Sequence, residues 1–513
     1  MSGQAAGSND TRQRAALEEY EQSGEGRPPF ILTYAEVKLL GIAGVGFFLD
    51  AYDLFIINPV STMLQYRLYP GGTMPANLQG LLKASANIGS VIGQFLFGYC
   101  ADAFGRKAIY GKELMLIIIA TILCISTPTG SLSPNGCLIY LTIFRILLGV
   151  GVGGDYPMSA SVTSDRATIR KRGTMLAYIF ANQGWGSFVG SLVTIVVLAC
   201  YKHVMNDEDE TSKVDGVWRI VIGLSLIPAF GTLYQRLTLP ESTRYKKSQE
   251  ADVVEQDDLE KEKMGVKADV HATESDLNVD RGASVPKKSH VLEVIKYFSE
   301  WRHLKILIGT CSCWFLLDVA FYGINLNTNV VLSEIGYAGN TGTPWEKLFK
   351  VATGNIIITA LGFVPGYYVT VLTIEKLGRK TIQVMGFLME ALFLGILAGK
   401  FHSLSTAAFI INFTLLQFFF NFGANATTYC YPAEVFPTRY RAFAHGMSAA
   451  CGKTGAIISA LVFNSLTDKI GTPAVLWIFF GCSILGAACT FLLPEVAGRD
   501  PDAVLEEELR EQQ

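Results

Sequence analysis

GVGVGGDYPMSASVTSDRA, residues 149–167, drops Asp155 and Tyr156 into the glycine-rich end of a long apolar run. A carboxylate deep in hydrocarbon costs about 3 kcal/mol or more, so it persists mainly where it faces a helix bundle or a water-filled path. The stretch reads as part of a polar site inside a membrane-spanning helix.

The composition supplies the membrane. Of the 513 residues 50% are hydrophobic and 17% are charged, a balance unusual for a soluble domain. Apolar runs of about twenty residues recur roughly twelve times, near 36–62, 78–101, 108–127, 137–160, 174–200, 217–238, 304–328, 349–374, 381–400, 406–430, 443–467 and 473–493. The runs are continuous rather than alternating, so the expected fold class is an all-α membrane protein with twelve transmembrane helices in two pseudo-symmetric six-helix halves. The polar N-terminus lacks a basic-then-apolar segment with a small-residue cleavage site, so the first span is the expected targeting element. Arg106 and Lys107, then Arg166, Arg170, Lys171 and Arg172, then Lys376, Arg379 and Lys380, then Arg439 and Arg441 follow spans two, four, eight and ten, all on one side. The opposite loops hold few basic residues, which predicts cytoplasmic termini.

The only long charged segment separates spans six and seven and is too polar to bury a core. The organisation that follows is a cytoplasmic tail at 1–35, a six-helix half at 36–238, a largely disordered linker at 239–303, a second half at 304–493 and a cytoplasmic tail at 494–513. The halves repeat one another. Asp102-x-x-Gly105-Arg106-Lys107 after span two is echoed by Glu375-x-x-Gly378-Arg379-Lys380 after span eight, and Tyr156-Pro157 in span four by Tyr431-Pro432 in span ten. Two six-helix halves with a site between them suit alternating access by rocking.

GYCADAFGRK (98–107), the Arg145-x-x-x-Gly149 pattern, LPESTRY (239–245) and EKLGRK (375–380) together resemble the major facilitator superfamily over all twelve spans. More narrowly, GGDYPMSASVTSD (153–165) resembles the span-four signature of the phosphate:H+ symporter family, in particular its high-affinity fungal type, with Met158 where leucine is also common. The resemblance implies a secondary transporter importing dihydrogenphosphate with protons, and with no organellar presequence in the sequence the plasma membrane is the expected location.

The residues themselves permit that chemistry. Lys453 lies far from either end of span eleven, where snorkelling is strained, and a cation there needs an anion. Trp314, Asp318 and Tyr322 recur at i, i+4 and i+8 on one helical stripe of span seven. Tyr156, Gln183 and Asn425 add polar groups from both halves. Lys453 matches the charge of dihydrogenphosphate, the neutral groups can donate to its oxygens, and Asp318 can accept from its hydroxyl. Sulfate has no such hydroxyl at neutral pH. Without an anion, Lys453 and Asp318 are expected to hold each other's charge in check. The resemblance implies the same roles for these seven residues.

Proton coupling needs buried acids that change protonation state. Asp50 and Asp53 lie at i and i+3 in span one and Asp155 approaches from span four; desolvation and mutual repulsion bring such acids toward a working range. Asp50 and Asp155 are the expected carriers and Asp53 a modulator. Asp102, Gly105, Arg106, Lys107, Arg145, Glu375, Gly378, Arg379 and Lys380 are expected to gate.

Blander readings stand beside these. A lone buried Asp can cap a broken helix or pair with an arginine such as Arg145, Trp314 and Tyr322 alone would be core aromatics, and interhelical amides such as Gln183 and Asn425 often only glue helices together. GVGVGG follows no strand and there is no Walker sequence, so neither a nucleotide site nor direct ATP drive is expected. The ten cysteines and six histidines form no metal-ligand spacing, and an enzyme reading has no nucleophile triad to rest on. No cofactor or nucleic-acid partner is expected. The alternatives are a sugar:H+ or other anion:H+ symporter of the same fold, or a phosphate-sensing receptor using the same pocket.

Overall fold

The computed structural model describes residues 28–71, 73–240, 290–328, 331–332, 337 and 342–511. Most of the expected tail 1–35, most of the linker 239–303 and residues 241–245 of LPESTRY lie outside them. The described residues are almost wholly helical. Eleven helices are long and apolar enough to cross a membrane: α1 (Tyr34–Leu68), α3 (Arg106–Ile125), α4 (Pro134–Arg166), α5 (Ile169–Cys200), α6 (Thr211–Leu237), α7 (Trp301–Asn325), α8 (Pro344–Leu377), α9 (Arg379–Lys400), α10 (Thr406–Val435), α11 (Arg441–Ile470) and α12 (Thr472–Leu492). The twelfth, α2 (Ala76–Phe104), has 29 residues and buries Lys83, Asn87, Gln94 and Asp102. It is too polar to face lipid alone and instead lies between α4 of its own half and α11 of the other.

Local chemistry sets the helix ends. Thr33 and Thr343 each form a capping box with the glutamate three residues on, Glu36 and Glu346, which satisfies orphan N–H groups at both sites. Ser133 and Ser405 cap α4 and α10. Gly105 and Gly378 hold φ of 92° and 78°, so each Gly-Arg-Lys turn needs its glycine. Pro157 and Pro432 sit inside α4 and α10, and α10 breaks just before, between Asn421 and Ala424. Polar residues to Arg166 continue α4 beyond the expected end near 160, because they are buried against protein instead of lipid.

The glycines of residues 149–154 explain the tightest packing. A Cβ on Gly149 would stand 2.0 Å from the Ala86 carbonyl and one on Gly153 2.2 Å from that of Ser90, while Gly89 and Gly93 of α2 approach the Ile146 and Val150 carbonyls equally closely. Small residues are what allow helix backbones to meet like this in a membrane. Gly153→Ala is expected to destabilise the protein by about 1–3 kcal/mol through overpacking; an unchanged thermal unfolding midpoint in detergent would contradict the seam.

Two further helices lie outside the spans. His290–Ser299 falls inside the segment expected as linker, and Pro501–Glu511 inside the expected C-terminal tail. The second is tied down: Asp502 accepts from the Thr438 N–H at 2.7 Å and the Thr438 hydroxyl at 2.6 Å. Burial alone would raise the Asp502 pKa, but Arg441 and the Thr438 bonds outweigh it and hold the carboxyl below its usual range.

Candidate functional site

A single hydrogen-bonded network joins the halves at the middle of the bundle. Its hub is the Tyr156 hydroxyl, which donates to Asp50 of α1 and accepts from Gln183 Nε2 of α5 at 2.7 Å and from Lys453 Nζ of α11 at 3.2 Å. Lys453 also donates to the Tyr322 hydroxyl of α7 at 2.5 Å, and its ammonium lies 4.9 Å and 4.3 Å from the ring centres of Tyr156 and Tyr322. Two phenol faces thus help hold the charge. Gln183 Oε1 accepts from Tyr367 of α8 at 3.1 Å, and the Tyr367 oxygen accepts from Asn425 of α10 at 2.7 Å.

Every residue of the network is buried, and aromatics seal it. Phe47, Phe180 and Tyr429 pack around Tyr156, and Phe55 stacks on Tyr322. Trp314 packs 6.2 Å from the Tyr156 ring, and its indole covers Gly452. Asp318 shares this environment, 1% exposed, with Oδ2 lacking a hydrogen-bond partner among the described residues. Lys453 and Asp318 interact through their charges, as expected, but not through a direct bond. The ammonium bonds two phenols, and no ion pair within 4.0 Å joins it to Asp318 among the described residues.

The remaining acids separate into two environments. Asp50 belongs to the network, also accepting from Gln183 at 3.0 Å. Asp155 faces away from it and takes a 2.5 Å ion pair from Arg236 of α6, which also reaches Glu113 of α3 at 3.2 Å and donates to the Ile42 and Ala43 carbonyls of α1. An arginine partner for Asp155 was one of the blander readings, but the partner is Arg236 and not Arg145. Arg145 donates to the Asp53 main-chain oxygen at 3.1 Å; it stands about 30 Å along α4 from Asp165 and is corrected out of the gating layer. The Asp53 carboxylate oxygens have no hydrogen-bond partner among the described residues.

At the basic-loop face the sequence repeat becomes a repeated ion cluster. In the first half Arg106 pairs with Asp102 at 3.6 Å and with Asp165, which also takes Arg441 of the second half. In the second half Arg379 pairs with Glu375 at 2.8 Å and Glu434 at 2.7 Å. Each cluster reaches across: Asp102 accepts from the Phe443 N–H at the start of α11, and Glu375 from the Thr174 N–H at the start of α5, both at 2.8 Å. Lys107 is exposed, whereas Lys380 donates to the Leu493 carbonyl at 2.9 Å. The opposite face is bridged too, by Asn58 to the Asn325 carbonyl at 2.7 Å and Trp345 to the Leu198 carbonyl at 2.7 Å. The central network is closed off from both sides, with a cavity of about 40 Å³ between α1, α5, α7 and α8 beside it.

Sequence reasoning missed Tyr367, Glu113 and Arg236. Tyr367 is one of 21 tyrosines and carries no charge or motif to mark it, and the two charges lie near the ends of apolar runs, where solvation is the ordinary fate.

Residues 39–506 match the family model described as "Sugar (and other) transporter". The chain belongs to this family. Similar relatives include a putative inorganic phosphate transporter of Schizosaccharomyces pombe, 44% identical over 95% of this chain and 91% of the relative. The inorganic phosphate transporter PHO84 of Saccharomyces cerevisiae is 39% identical over 94% and 85%, and the repressible high-affinity phosphate permease of Neurospora crassa is 39% identical over 94% and 87%. Among solved structures, the major facilitator superfamily proton:xylose symporter XylE bound to 6-bromo-6-deoxy-D-glucose superposes with a TM-score of 0.69 at 19% identity, over 92% of this chain and 98% of that one. That likeness is one of fold. This sugar (and other) transporter family member is therefore a multi-pass membrane transporter of the major facilitator fold, and not an enzyme.

Proposed function

We propose that the protein is a proton-coupled importer of inorganic phosphate working by alternating access, in the plasma membrane with both termini cytoplasmic. The observation that carries the reading is Lys453, a buried ammonium from one half bonded to a phenol of each half. A buried cation whose hydrogen bonds among the described residues go only to phenols gains from the arrival of an anion. Four kinds of donor converge beside it, and the free oxygen of Asp318 can accept from a phosphate hydroxyl, which suits dihydrogenphosphate better than a neutral sugar. The names of the relatives at 39–44% identity support the same substrate.

In this mechanism phosphate displaces the bonds from Lys453 to Tyr156 and Tyr322, and takes donors from Tyr156, Gln183, Trp314, Tyr322 and Asn425. Asp50 shares the Tyr156 hydroxyl, so loading of substrate and of a proton on Asp50 are linked through one atom. Asp155 is a second carrier, with Arg236 and Glu113 adjusting its charge, and Asp53 a modulator. The two ion clusters, at Arg106 and Arg379, lock the cytoplasmic side while the site faces out.

Co-transport of one proton with dihydrogenphosphate moves no net charge, whereas each additional proton contributes about 2.3 kcal/mol per 100 mV. Purified protein in vesicles is expected to accumulate phosphate only while a proton gradient or potential persists; equal accumulation after both are collapsed sinks the coupling. Asp50→Asn keeps the shape and removes the titratable group, so concentrative uptake is expected to fail while phosphate binding and exchange partly survive. If Asp50→Asn and Asp155→Asn both fold normally yet bind nothing, these acids belong to the substrate pocket instead.

A further inference from the structure

One polar stripe takes no part in the mechanism above. Lys83 and Asn87 stand one turn apart on α2, 2% and 0% exposed. The Lys83 ammonium has one hydrogen bond, to Asn327 Oδ1 just beyond α7 at 2.9 Å, and no carboxylate within 4.0 Å among the described residues. Both polar atoms of the Asn87 amide are buried without a hydrogen-bond partner among the described residues. Such groups carry a standing cost in a membrane interior unless something fills their bonding capacity.

The position of the pair follows from helix register. Gly80 of α2 packs on the Ala460 carbonyl of α11, and Gly446 of α11 on the Gln94 carbonyl of α2. This antiparallel register sets Asn87 level with Lys453 and Lys83 about one helical turn further from the basic-loop face. The same order appears on the partner side, where Tyr322 bonds Lys453 and Asn327 bonds Lys83. Two buried lysines thus stand one turn apart at the junction of the halves, each held from the other half by a neutral group.

The geometry points to a second, outer oxyanion subsite formed by Lys83, Asn87 and Asn327, which receives phosphate from outside before it passes to Lys453. The ammonium has donors to spare, the Asn87 amide supplies a donor and an acceptor for a protonated oxyanion, and Asn327 releases Lys83 when the halves part on the outer side. A neutral solute gains nothing from such a station. The inference rests on the phosphate reading and extends it to the route of access.

The test is initial-rate uptake of radiolabelled inorganic phosphate by the full-length protein in proteoliposomes under an inward proton gradient. Lys83→Gln removes the charge and keeps an N–H donor one bond shorter, so a bond that merely latches the halves is weakened far less than a charged contact to an anion. Loss of a charged contact to the anion is expected to raise KM about tenfold with kcat within about twofold, and Lys83→Arg to restore KM. Asn87→Leu removes an amide that bonds nothing in the structure, so a purely structural position predicts no loss, whereas the subsite predicts a raised KM. This variant carries the test if Lys83→Gln proves misfolded. Wild-type uptake with unchanged KM in both variants, or a fall in kcat alone, overturns the subsite and leaves the phosphate reading standing. Failure of the wild type to take up phosphate overturns both.

Discussion

Lys453→Ala is expected to abolish phosphate binding at neutral pH. The ammonium is the cation bonded to both Tyr156 and Tyr322, and its removal costs more than one neutral hydrogen bond. It takes away the charge that opposes the substrate's own, and it leaves Asp50 and Asp318 buried with no cation between them. Deleting one side of a buried charge arrangement costs about 3–5 kcal/mol, which corresponds to an affinity loss of roughly 10²–10³-fold or more. Asp318→Asn is expected to weaken binding less while eroding discrimination against sulfate, since an amide can donate to a sulfate oxygen where the carboxylate could only accept. Competition binding of both variants across about pH 5 to 8, spanning the second phosphate ionisation, decides the matter. Near-normal phosphate affinity in Lys453→Ala rejects the anion site and promotes the sugar-porter alternative.

Arg236→Ala is expected to damage the fold rather than the pocket. The guanidinium holds Asp155 and Glu113 together with two α1 carbonyls, and none of its side chain is exposed. Without it two carboxylates face each other in a dry interior, a destabilisation of about 3–5 kcal/mol. Adding Asp155→Asn and Glu113→Gln removes both orphaned charges, and the triple variant is expected to regain much of the lost stability. Thermal unfolding in detergent reads both effects. An Arg236→Ala protein that unfolds at the wild-type temperature would show that the cluster is not a closed charge unit.

The fold was legible because a bilayer accepts few solutions: twelve apolar runs become twelve helices, and several of them, α1, α4 and α10 among them, run on past the apolar stretch where polar residues are buried against protein. Polar residues stranded in apolar runs were legible for the same reason, so Tyr156, Gln183, Lys453, Tyr322 and Asn425 could be named before their contacts were seen. Partnerships were harder to read. Opposite charge suggested Asp318 for Lys453, but its hydrogen bonds go to phenols on α4 and α7, and which side chain of a stripe meets a partner leaves no trace in spacing. Arg236 and Glu113 sit where a span meets headgroups, and only their convergence with Asp155 from α6, α3 and α4 separates them from ordinary interfacial charges.

Duplication of the ion clusters bears on how the machine moves. Each cluster seizes a main-chain N–H at the start of a helix in the opposite half, through Phe443 on one side and Thr174 on the other. A peptide N–H is kept by every substitution except proline, so on the donor side both fastenings are insensitive to most changes of side chain. Because they sit on either side of the pseudo-twofold axis, releasing one while the other holds would shear the halves about an off-centre hinge and disturb the glycine-tight contacts between α2 and α11. If the halves rock as proposed, the favoured path is the one that frees both together, a concerted transition with no long-lived lopsided intermediate.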